Sequence, residues 1–153
     1  MRELIGVALA AALLSSCGDP TPPLARPTTC DGIITPCAIV TFAWNAWPDT
    51  MLVMVTHEPT IEAARSFVAT GVGPSIPSGP IVRGAGSDPR LPFHYVPELV
   101  RLVDVAIELC DGRLMKTEAQ LNEYFLGSTG NANASGGHFC PWDARPVHVS
   151  GAP

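Results

Sequence analysis

Residues 38–71 decide the fold: Ala38-Ile-Val-Thr-Phe-Ala-Trp44, then Asn45-Ala-Trp-Pro-Asp49, then Met51-Leu-Val-Met-Val-Thr56, then a run from Glu58-Pro59 to Gly71. The first run is rich in β-branched and aromatic residues and reads as a strand. Asn45 to Asp49, with Pro48, is a turn. Met51 to Thr56 is too continuously apolar for a half-exposed strand and reads as a buried one. Pro59 suits the first helical position, and Glu58 and Glu62 suit the positive end of a helix. Ile61, Ala64, Phe67 and Val68 then fall on one helical face, and Gly71 is placed for a left-handed stop.

Working outward, Gly71 to Pro80 reads as a Pro/Gly/Ser loop and Pro80 to Arg83 as a short third strand. Phe93 to Val96 follows the loop from Gly84 to Pro92. Leu99 to Cys110 fits two periods. As a helix it would carry a stripe of Val96, Leu99, Val100, Val103, Ile107 and Cys110; as a strand its odd positions are mostly apolar. Its β-branched content favours the strand. Thr117-Glu-Ala-Gln120 is a capping box, with Leu121, Tyr124 and Phe125 facing inward on a helix that runs to Gly127. Gly127 to Gly137 reads as a flexible loop, and His138 to Val149 as an extended end. The expectation is an α+β fold: a single small domain, mainly antiparallel sheet packed with two helices and stabilised by disulfides.

The N-terminal end reads differently. A charged start precedes eleven apolar residues, Leu4 to Leu14, which would span about 16 Å as a helix, half of a ~30 Å hydrocarbon core. That is the size of a signal-peptide hydrophobic region. It ends in Leu14-Ser-Ser-Cys17, which resembles a bacterial lipobox. The resemblance implies cleavage after residue 16 and lipid attachment at Cys17. One acyl chain holds marginally, but several at ~0.8 kcal/mol per buried methylene anchor almost irreversibly. Residues 17–29, with Pro20, Pro22, Pro23 and Pro27, read as a stiff tether, and residues 30–153 as the folded domain. The implied location is a bacterial membrane, on its periplasmic or cell-surface side.

Export bears on the other cysteines. Cys30, Cys37, Cys110 and Cys140 allow three pairings. Cys30 and Cys37 bracket a short loop, so local pairing is sterically easy, and that leaves Cys110 with Cys140. Loop closure contributes about 2.5 kcal/mol for the short ring and about 3.7 for the longer one. A zinc site of Cys140 with His138, His94 or His148 lacks Cys-x-x-Cys or His-x-x-x-His spacing. No metal or cofactor is expected.

The chain carries nine Lys plus Arg against fourteen Asp plus Glu, a formal charge of −5, and Lys116 is its one lysine. Nucleic acid, which needs a basic face, is excluded as a partner. His57-Glu58 has no second His on its helix. Gly71-Val-Gly73-Pro lacks the third glycine of a dinucleotide loop, and the 130–137 loop lacks a Lys-Ser/Thr pair. No Gly-x-Ser-x-Gly elbow exists. Ser75, Ser78 and Ser87 have no visible link to a histidine and an acid. As strand residues, Asp104 and Glu108 would sit about 13 Å apart, beyond the ~5–9.5 Å spacing of glycosidase carboxylates. Trp44, Trp47 and Trp142 are candidates for a sugar-stacking platform, with core or rim packing as the plainer role.

Phe93-His94-x-x-Pro97, Asp104-Val-Ala-Ile-Glu-Leu-Cys-Asp111 and Phe139-Cys-Pro-Trp142 with Arg145 together resemble a small domain family. It is named after the N-terminal domain of a calmodulin-binding protein and occurs in bacterial exported proteins. The helix Ile61 to Arg65 and Gly79-Pro-Ile-Val82 fit the same layout, so the resemblance covers about 38–149. It implies a compact α+β domain, supports the Cys110–Cys140 pair, and carries no catalytic residues. Glu58 departs from the family's usual Asp. Calmodulin binding is not expected, because no basic amphipathic helix is present.

These readings converge on a non-catalytic, lipid-anchored binding domain for a protein or envelope component, with proteinase inhibition as a sharper form. Its candidate surface comprises His94, Asp104, Glu108, Asp111 and Trp142 with the loops at 71–92 and 127–137. The competing reading is an envelope hydrolase using His94 with Asp104 or Glu108. Replacing Cys17 by Ser should move the protein from the membrane pellet to the soluble fraction; retention in the pellet would refute the lipid assignment.

Overall fold

Strand β1 (Ala38–Trp44) buries every second side chain, Ala38, Val40, Phe42 and Trp44, and half-buries those between. A period of two is what a strand with one face on a core demands. The structure is a computed structural model that describes residues 29–33, 36–104, 113–126 and 137–151. β2 (Thr50–Val55) returns antiparallel to β1, with Ala38 opposite Val55 and Ala43 opposite Thr50. Its nearly unbroken burial matches its apolar run. β7 (Ala144–Ser150) pairs with the other edge of β1 and completes a three-stranded sheet. The register slips between Thr41 and Phe42, opposite Pro146 to His148. Pro146 has no amide to give a ladder, and a bulge lets it pass.

Helix α1 (Glu58–Thr70) starts with Pro59 in its first turn and stops at Gly71, whose φ of 72° is left-handed and whose amide donates to the Phe67 carbonyl. Its start is pinned by Thr60, which is buried and donates to the Val100 carbonyl at 3.0 Å. That hydroxyl proton is thereby spent, so the His57 Nδ1 donates to Thr60 Oγ1 at 2.8 Å. Ile61 and Ala64 are buried as the stripe requires, but Val68 is exposed. Burial fades after Phe67, and the last turn faces water.

The second sheet is built on β3 (Ile76–Arg83), which starts four residues before the expected Pro80. Ile76 to Ser78 pair with β5 (Arg101–Val103), Gly79 and Pro80 with β6 (His138–Phe139), and Ile81 to Arg83 with β4 (Phe93–Tyr95). Pro77 and Gly79 discourage a strand locally, and these distant partners override that. The long strand expected over 99–110 is short: a 3-10 turn at Pro97–Leu99 precedes β5, and residues 105–112 lie outside the described residues. The turn lets the Pro97 carbonyl accept the Thr56 amide, which interrupts the strand.

Helix α2 (Glu118–Leu126) carries the capping box as read. Thr117 Oγ1 accepts the Gln120 amide at 3.2 Å, and Gln120 Oε1 accepts the Thr117 amide at 3.2 Å. Leu121 is fully buried, with Tyr124 and Phe125 packed on the core. At the centre lies Phe139, fully buried, its ring 5.5 Å from Phe93, 6.0 Å from Tyr95 and 5.9 Å from Tyr124. It joins α2 to the second sheet. Cys30 and Cys37 form a disulfide. Cys140 is also disulfide-bonded, and its expected partner Cys110 lies outside the described residues. Phe139→Ala should cost about 3–5 kcal/mol of unfolding free energy, measured by urea denaturation; a loss under about 1 kcal/mol would show that Phe139 does not hold the core.

Candidate functional site

His94 projects from β4 with its ring half-buried. Its Nδ1 lies 2.8 Å from the Gly84 carbonyl, which can only accept, so Nδ1 carries the proton. Nε2 is buried and has no hydrogen-bond partner among the described residues, beside a cavity of about 20 Å³ that Gly86 and Ser87 help to line. Gly86 is pressed so closely on this ring that an added Cβ would stand 2.3 Å from the His94 Cβ. A hole of that size holds about one water, not a substrate. Asp104, the acid expected to work with His94, is exposed just past the end of β5 and makes no hydrogen bond to it. Glu108 and Asp111 lie outside the described residues, as do Cys17 and residues 127–136. The structure thus leaves His94 held by backbone and Asp104 apart from it.

Trp142 is 57% exposed and Trp47 40%, while Trp44 is buried in the core and drops out of the aromatic surface. The two exposed indoles are tied together through their neighbours. Asp143 accepts the Ala46 amide at 2.9 Å and the Asn45 side-chain amide at 3.1 Å. This pair of bonds holds the β1–β2 turn, and hence Trp47, against the segment that carries Trp142.

Beyond Pro48 the same turn opens into a cleft of about 220 Å³. Its support is Asp88, whose side chain is only 2% exposed. Arg90 grips that carboxylate with both arms of its fork, Nε to Oδ1 at 2.8 Å and Nη2 to Oδ2 at 2.7 Å. The Leu52 and Arg90 amides each donate to it at 3.1 Å. Arg90 Nη2 also reaches the Thr50 carbonyl at 3.0 Å. Across the cleft Lys116 Nζ sits 2.5 Å from Asp49 Oδ1. Burial alone pushes the Asp88 carboxyl up, but the hydrogen bonds from Arg90 and Leu52 outweigh it and hold it below its ordinary value. Sequence reasoning missed this cluster. Its one local signal was Asp88-Pro89-Arg90, in which an Asp begins a proline turn.

The sheets make one further pairing that no spacing announces. Ser78, expected in a loop, stands on β3, and its hydroxyl lies 2.8 Å from His138 Nε2. The pair is solvent-exposed, and no carboxylate hydrogen-bonds His138 among the described residues. Among those residues no group of three or more His, Cys, Asp or Glu is arranged to hold a metal ion, and no helix is long and apolar enough to cross a membrane.

A family model, the BP-74 N-terminal domain, matches residues 37–152, and the chain belongs to that family. None of the curated proteins or solved structures compared matches it.

Asp88 titrates lower in the folded chain than unfolded, so its interactions stabilise fully above about pH 4 and fade as pH falls through the folded value. Asp88→Asn should lower unfolding free energy by about 2–3 kcal/mol at pH 7, with a smaller difference near pH 3. Equal differences at both pH values, from urea titrations, would contradict a role for the ionised carboxylate.

Proposed function

We propose that this family member is a lipid-anchored, extracytoplasmic binding module. Its ligand is a component of the cell envelope, and its contact surface centres on Trp47, Trp142 and the cleft beside them. The observation that carries this reading is two exposed tryptophans on turns that are already braced. Asp143 holds one turn and the Asp88–Arg90 pair holds the adjoining loop. Exposed aromatic rings on pre-ordered backbone lose little freedom on binding, and indoles supply large contact area with a polar N–H. The leader and Cys17 support an anchored location, and the disulfides suit an oxidising compartment.

A second reading, an envelope hydrolase, draws its support from Ser78 and His138 rather than from His94 with Asp104 or Glu108. A serine within hydrogen-bond reach of a histidine is the start of an activated nucleophile. The group that would orient His138 is missing among the described residues, and a Ser–His pair alone is also an ordinary cross-strand contact.

The two readings part in one experiment. Full-length protein, solubilised in detergent and immobilised, is exposed to purified envelope fractions and separately to a fluorophosphonate probe. A binding module predicts saturable capture of envelope material that Trp142→Ala weakens and Ser78→Ala leaves intact, with no labelling of Ser78. Labelling that disappears in both Ser78→Ala and His138→Ala would overturn it in favour of the hydrolase.

A further inference from the structure

We propose that the cleft between the start of β2 and the Asp88–Leu91 turn is a saccharide subsite that takes one neutral sugar ring. The proposal deepens the binding-module reading and rests on it. At about 220 Å³ the cleft is smaller than pockets for drug-sized ligands, which run ~300–1,000 Å³. Its floor is apolar, formed by Leu91 and Leu114, both buried. Its rim is polar and carries Asp49, Thr50, Arg90 and Lys116.

The charges on this rim are balanced. Lys116 sits on Asp49 and Arg90 on Asp88, so each cation has its own carboxylate, at 2.5 Å and 2.7 Å respectively. A phosphate or free carboxylate entering the cleft would meet the Asp49 carboxylate on the rim and two bases whose charges are already neutralised by ion pairs. A sugar hydroxyl has no such conflict, because it donates and accepts at once. It can give its proton to Asp49 while receiving one from Lys116 or Arg90, and hydrogen bonds to ionised partners are about twice as strong as neutral ones.

The remaining demand of a sugar ring is an apolar surface for its C–H face. The leucine floor offers one within the cleft, and Trp47, 40% exposed, precedes the lining residue Pro48 in the chain and is the nearest exposed indole along it. Trp142, 57% exposed, lies next to Asp143, whose hydrogen bonds hold its segment to the turn that carries Trp47, and it supplies a second exposed indole. The geometry therefore points to a glycan, with one unit in the cleft and its neighbours over exposed tryptophan.

The test is calorimetry and tryptophan fluorescence on full-length protein in a detergent without a sugar headgroup. The titrants are glucose, N-acetylglucosamine, their β-1,4-linked dimers and trimers, and inorganic phosphate. The expected result is saturable binding of a neutral sugar, tighter for the oligomers, with no comparable binding of phosphate. Trp47→Ala and Lys116→Ala should each weaken it about tenfold or more, whereas Leu126→Ser, on the exposed end of α2, should leave it unchanged. Phosphate binding above every sugar, or sugar binding indifferent to both Trp47 and Lys116, would overturn the proposal. If no sugar binds while envelope capture through Trp142 persists, the saccharide assignment fails and the binding module stands. If neither binds, both fall.

Discussion

The carboxylate of Asp88 lies where a loop of the second sheet meets the edge of the first. β2 is an edge strand, and an edge strand presents amides and carbonyls with no ladder to receive them. Asp88, in the loop that joins β3 to β4, accepts the Leu52 amide, and Arg90 donates to the Thr50 carbonyl. Just past the far end of the same strand, the Thr56 amide finds the Pro97 carbonyl. Side chains and a turn from the second sheet thus take up the Leu52 and Thr56 amides and the Thr50 carbonyl along that edge. A buried carboxylate is costly unless it is fully bonded, and here two backbone amides and a two-armed guanidinium offset that cost.

This clamp also makes the surface. Because Arg90 is committed to Asp88 on one side and Thr50 on the other, its guanidinium stands at a set place on the cleft rim. The β1–β2 turn faces it, held from its other side by Asp143. The exposed tryptophans are therefore carried on backbone whose position follows from buried or bonded polar groups, not from the indoles themselves. Losing either indole should change binding more than folding, whereas losing Asp88 changes both.

Much of the fold could be read from local chemistry. The β-branched and aromatic content of Ala38 to Trp44, the proline and glycine that bracket α1, and the reciprocal Thr117–Gln120 box each act within a few residues, and each element is present as read. The readings that slipped depend on distant partners. β3 begins at Ile76 although Pro77 and Gly79 argue against it, because β5 and β6 supply pairing that the segment cannot show alone. Val68 shares a helical face with Ile61 and Ala64 but is exposed, since the period describes the helix and not the extent of what it packs on. The surface was the least readable part. Trp142 was named and is exposed, but His94 is turned to the backbone. The Asp88–Arg90 clamp and the Ser78–His138 pair draw their significance from contacts made across strands and loops.

The amino-acid order by itself determined the family, the α+β class, the helix ends and the strand β1, because propensity, capping and periodicity are short-range effects. Only the tertiary structure decided which polar groups meet. Asp88 and Leu52 are brought together by packing one sheet against the edge of another, and so are Asp143 with Ala46 and Lys116 with Asp49 by their own distant approaches. A hydrogen bond depends on distances of a few tenths of an ångström between atoms whose separation along the chain carries no trace of their approach.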